Sequence, residues 1–199
     1  MAEPILITAP TVEPVTLAEA RAHLRIDDDN TSFDTEIEEM VKAARQAAEH
    51  EMGRKVMRQT WDFVVDAFPC SLESIRLPAD LVKPHSIVHI KYVDTSGVVQ
   101  ELDSATYDLD AYNLPGYIFP ATDYDWPTGV AETANAVSVR VMCGEWENVA
   151  DVPAAIKRWI KLHIGTQWRY EASVSPEQAT ELTNRFVDRL LDPYRVYVG

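Results

Sequence analysis

Oxygen-bearing side chains fall at Asp27, Asp29, Thr31 and Glu38. These are the first, third, fifth and twelfth positions of a calcium loop, where carboxylates and a closing glutamate surround a hard cation. Ser32 stands where the sharp bend of such a loop needs glycine. The segment is therefore expected to be a solvated turn entering a helix rather than a metal site. His85 and His89 share one face of an extended stretch, but two histidines without a third ligand do not make a zinc site. Cys70 and Cys143 lie far apart with no CxxC and read as reduced thiols. Carboxylate pairs such as Asp108 with Asp110, or Asp123 with Asp125, have the makings of a glycosidase acid and nucleophile. A chain with 32 acidic residues produces such pairs by chance. GxSxG, a glycine-rich phosphate loop and HExxH are all absent from the sequence. No catalytic set and no cofactor is expected.

Charge narrows the function further. Acidic against basic residues number 12 and 6 in 1–57, 14 and 5 in 58–150, and 6 and 7 in 151–199, for a net charge of -14. Nucleic-acid binding is driven by lysine and arginine displacing counterions, so the first 150 residues are unsuited to wrap DNA. Only the last fifty residues suit an anionic partner. No apolar run approaches the roughly 20 residues that span a bilayer, and MAEPILITAP lacks a secretory signal's basic start, so neither a membrane nor export is expected.

The elements that must position these residues divide by period. From Thr31 to Gly53, Phe33, Ile37, Met40, Val41, Ala44, Ala47 and Ala48 form one helical stripe, with Thr31 or Ser32 as N-cap and Gly53 as C-cap. Upstream, an extended arm over 1–14 precedes a short helix opened by a Thr16/Glu19 capping box, with Val15 stapling to Ala20. Between 58 and 150 the period becomes that of strands, at 59–68, 86–93, 98–102, 107–109, 117–119 and 136–143, punctuated by proline and glycine turns that suit antiparallel pairing. Helical period returns at Pro153, with Ile156, Trp159, Ile160, His163, Ile164 and Trp168 as the partner stripe for 33–52. A last helix is expected from Ser175 to 191, ending before Pro193. The fold class is thus α+β. Residues 1–57 and 151–199 are expected to form a small helical bundle with an extended arm and a tail, and 58–150 an inserted antiparallel β-rich domain. Its core should join Ile37, Val41, Ala44 and Ala48 to Ile156, Trp159, Ile160 and Ile164.

Several runs carry a resemblance. Pro14-Val15-Thr16-Leu17-Ala18-Glu19-Ala20-Arg21-Ala22-His23-Leu24-Arg25-Ile26 precedes an Asp-rich turn. Then come Ala43-Ala44-Arg45 with Glu49, Gly53-Arg54 and Gln59-Thr60-Trp61. This order is similar to the head-to-tail connector (adaptor) family of tailed bacteriophages and gene transfer agents. Val152–Lys157 and Leu190–Arg195 are similar to its longer members. The resemblance implies a non-enzymatic virion protein at the head-tail interface, made in the host cytoplasm. It implies a twelvefold ring of copies beneath the portal protein, a tail-side connector, stopper or terminator as the next partner, and DNA only passing through the lumen. The competing class is a carbohydrate-binding or hydrolase domain built on the β region and its tryptophans.

Two surfaces follow as expectations. Lys157, Arg158 and Lys161 lie on a helix with no acid from 153 to 169, so they are expected to meet Asp27, Asp28, Asp29, Glu36 and Glu39 of a neighbouring copy, or else acids of the same chain. The tail Pro193, Tyr194, Arg195, Val196, Tyr197 and Val198 alternates like a strand, is expected to be loose in the free subunit, and would grip the portal.

Overall fold

The computed structural model describes residues 3–70, 73–81, 83–172, 187 and 189–196. The fold is α+β, in two compact units: Met1–Thr11, Met57–Glu145 and Val196–Gly199 in one, Val12–Val56 and Trp146–Arg195 in the other.

The helical unit holds α1 (Leu17–Leu24), α2 (Asp34–Met52) and α3 (Ala154–Ala172). Thr16 and Glu19 close the expected capping box in both directions, and Val15 and Ala20 are both buried. The expected cap of α2 is not used. Phe33 occupies the N-cap position with no side-chain hydrogen bond, and its ring stands edge-on to Trp168 at 5.2 Å. The first turn is held instead by Asp34, which takes the guanidinium of Arg21. Asp34 thus carries out two tasks at once, because a carboxylate there also suits the helix dipole. Gly53 ends α2 in the left-handed conformation at φ 65. The stripe expected of α2 meets that of α3: Ile37, Val41, Ala44, Ala48, Ile156, Trp159, Ile160 and Ile164 are all buried. The helix expected from Ser175 lies largely outside the described residues.

The β unit has two antiparallel sheets. β1 (Ile5–Thr8), β2 (Gln59–Val65), β8 (Val137–Cys143), β4 (Ser86–Val93) and β5 (Val99–Glu101) lie side by side in that order, and β3 (Ile75–Arg76), β7 (Tyr117–Pro120) and β6 (Tyr107–Asp110) form the smaller sheet. Alternation decides the inside. Phe63, Ile90 and Val139 from one sheet and Ile75, Tyr107 and Ile118 from the other share one apolar cluster. The arm is not a free extension of the helices. Ile5–Thr8 pairs antiparallel with β2, opposite Asp62, Trp61 and Thr60, a long-range partner that local periodicity cannot reveal.

Candidate interaction surfaces

The helical unit is organised around a buried ionic chain. Arg45 sits on the apolar side of α2, where its Nε donates to Glu13 at 2.8 Å and its Nη1 pairs with Glu49 at 3.0 Å, one turn on. Glu49 then accepts the backbone N–H of Val56 at 2.9 Å. A charge kept from water must be paired and hydrogen-bonded, and this arrangement meets both conditions while fixing the strand that follows α2. Burial raises the Glu13 carboxyl against the pull of Arg45. Arg54 is buried too, 5.4 Å over the ring of Trp146, and burial lowers its pKa. Trp146 returns the chain to this place, its N–H donating to Val56 O at 3.1 Å.

The C-terminal segment caps that corner. Residues Asp192–Tyr194 form a single 3-10 turn rather than a strand, with Leu191 fully buried. The Tyr194 ring stands edge-on to Trp146 at 6.5 Å, and Arg195 pairs with Glu51 at 2.9 Å and with Asp192 at 3.4 Å. The expectation of a loose tail therefore fails for Pro193, Tyr194 and Arg195. Proline at the start of a helical turn and an available aromatic partner dock them at once. Val196 is half-buried; Tyr197 and Val198 lie outside the described residues.

The basic face of α3 also finds partners at home. Glu19 lies 3.6 Å from Lys157 and 3.5 Å from Lys161, because α1 packs against α3. Burial pushes the Glu19 carboxyl up, but the Thr16 backbone N–H and then the two lysines bring it below its ordinary value. So the same-chain alternative holds for both lysines. Arg158 is exposed, as are Asp27, Asp28, Asp29, Glu36 and Glu39. Asp28 contributes its backbone carbonyl to Arg21 at 3.1 Å, and Asn30 caps the turn through the N–H of Ser32. Among the described residues no group of three or more His, Cys, Asp or Glu side chains is placed to hold a metal, and no described helix is long and apolar enough to cross a membrane. In the β unit, Trp126 is turned inward, stacked on Phe68 at 5.0 Å and donating to Glu73 O at 2.8 Å, so it offers no platform to a sugar.

The runs that carried the resemblance coincide with these contacts. Arg45, Glu49 and Arg54 form the corner just described. Gln59 bonds Met57 O and accepts from the Trp61 indole. A model of one protein family matches residues 14–105. It is that of the phage gp6-like head-tail connector proteins. The matched stretch includes α1, α2 and the chain through β5, reaching further into the β unit than the runs that carried the resemblance. Solved structures extend the likeness to the whole chain. A protein in the neck of an empty gene transfer agent particle, computed with C6 symmetry, is 17% identical with a TM-score of 0.72, covering 100% of this chain and 97% of its own. One in the virion of a native gene transfer agent gives the same values. One in the native neck computed with C12 symmetry is 16% identical, with a TM-score of 0.69 and the same coverage. No curated protein sequence matches the chain.

The sequence reading missed Glu13, Glu51 and Trp146. A faint signal existed for the first: Arg45 and Glu49 are charges at helical spacing beside an apolar stripe, which calls for further buried partners.

Proposed function

We propose that this protein is a non-enzymatic virion component of the head-tail interface, a connector that forms a ring beneath the portal and joins the DNA-filled capsid to the tail. The reading rests chiefly on the coincidence of the family-matched stretch with the buried Arg45–Glu49 corner. Full-length likeness to neck proteins supports it. Neighbouring copies, twelve to a ring, the portal above and a tail-side connector, stopper or terminator below are its partners. The strongly acidic surface suits a lumen through which DNA slides without adhering. The exposed Arg158 and the 27–39 acids are offered as subunit contacts. Residues 193–198 are offered to the portal, and Tyr194 and Arg195 would then trade their contacts with Trp146 and Glu51 for ones on the portal. Mixing the purified chain with its cognate portal rings and imaging the product tests this. A stacked second ring is expected; portals that stay bare at micromolar protein would overturn the reading. Removing 193–199 should abolish attachment, and rings that form without the tail would move the portal contact elsewhere.

A further inference from the structure

The smaller sheet has an outer face unlike the rest of the β unit. Ile75, Tyr107 and Ile118 point to the core, which leaves Asp108, Asp110, Tyr117 and Phe119 on the other side. The register sets Asp108 opposite Phe119 and Asp110 opposite Tyr117. Each pair places a carboxylate beside an aromatic ring, within the reach of directly opposed side chains. The two rings lie 6.1 Å apart. Beyond them the β6–β7 hairpin tip presents Tyr112, 98% exposed, and Leu114, 41% exposed. Exposed aromatic and apolar side chains along one hairpin, next to carboxylates, mark a contact surface.

Charge indicates what covers it. Residues 92–139 contain eight acids and no lysine, arginine or histidine. A carboxylate next to a ring accepts a guanidinium twice over, by a forked hydrogen bond and by stacking on the ring. Arg76 on β3 stands directly opposite Tyr117, so the pair farther along the sheet from this cation is Asp108 with Phe119. The opposite requirement is met on α3, where 153–169 has no acid, Glu19 occupies Lys157 and Lys161, and Arg158 is exposed. A ring built head to tail needs two different surfaces that fit one another.

Building on the connector reading, we propose that the Asp108–Phe119 pair of one copy receives Arg158 of the next, with Tyr112 and Leu114 packed beside it as the apolar part of the ring contact. The test uses the full chain with cognate portal rings, counting occupied portals by electron microscopy. Circular dichroism confirms that each variant is folded. Asp108→Arg and Arg158→Asp should each reduce ring occupancy about tenfold or more, and the two together should restore most of it, because swapping both partners recovers the attraction. Tyr112→Ala should weaken assembly without altering its salt dependence. If either charge reversal leaves occupancy unchanged, or the double variant stays as poor as the worse single one, the contact is wrong. Bare portals with the unaltered protein would instead sink the connector reading itself.

Discussion

Between the two sheets of the β unit the buried side chains are Phe63, Ile90, Ile118 and their apolar neighbours, with ladder hydrogen bonds supplying the polar order. Among the described residues the buried charges, Arg45, Glu49 and Arg54, all belong to the helical unit. Its α1–α3 seam also uses Glu19 with Lys157 and Lys161, and α1 and α3 each carry a half-buried imidazole, His23 and His163. Both units carry ion pairs nearer the surface, Asp62 with Arg140 in the β unit among them, but among the described residues only the helical unit places charges in its buried interior, where the pairing responds to pH and apolar burial does not.

That contrast can be broken by mutation. Trp159→Ala, at a site 5% exposed, should cost about 3–5 kcal/mol in chemical denaturation and speed amide exchange in α2 and α3 more than in β2 and β8. Arg45→Leu should be comparably severe, about 3–5 kcal/mol, because it leaves the buried Glu49 and the half-buried Glu13 without their cation. A loss below about 1 kcal/mol would mean that water, not Arg45, satisfies those carboxylates.

A change of pH sharpens the comparison further. Burial holds His163 below its ordinary 6.5. His23 is lowered by burial and then by the charges of Arg158 and Lys161. In the window below 6.5 the unfolded chain binds protons that the folded chain refuses, so stability present above 6.5 is lost as pH falls toward the depressed values. Melting temperature should drop between about pH 7.5 and 5.5. His163→Phe, which keeps a ring against Trp159 where the imidazole stacks at 4.9 Å, should shallow that drop. An unchanged pH profile in this variant would remove His163 from the account. The smallest effect belongs to the cap: Thr16→Ala should cost about 1 kcal/mol, read as fraying of α1 by amide exchange.

Sequence pattern was most informative where order is local. The stripes of α2 and α3, the Thr16/Glu19 box and the alternation of β2, β4 and β8 are all properties of a few consecutive residues, and each is found at its expected place. Ile5–Thr8 read as an arm because its strand character depends on β2, more than fifty residues away in the chain. β3 has two residues and no period to detect. The candidate contacts were harder, since ion pairs follow from which helices touch. Lys161 and Glu19 are 142 positions apart, and nothing in either neighbourhood names the other.

The crossing of Val56 by Trp146 has a consequence for how such a protein changes over generations. Gly144 adopts φ +104, and a Cβ there would lie 2.1 Å from the Met57 carbonyl oxygen, so the chain leaves the β unit almost where it entered. Nearly ninety residues therefore hang from two adjacent points, and a replacement of any length would face nearly the same closure cost, which grows only with the logarithm of length. The 57–145 segment is in this sense a cassette, provided that its β2 still receives β1. Its size and surface can change at little closure cost while Arg45 and Glu49 keep their pairing.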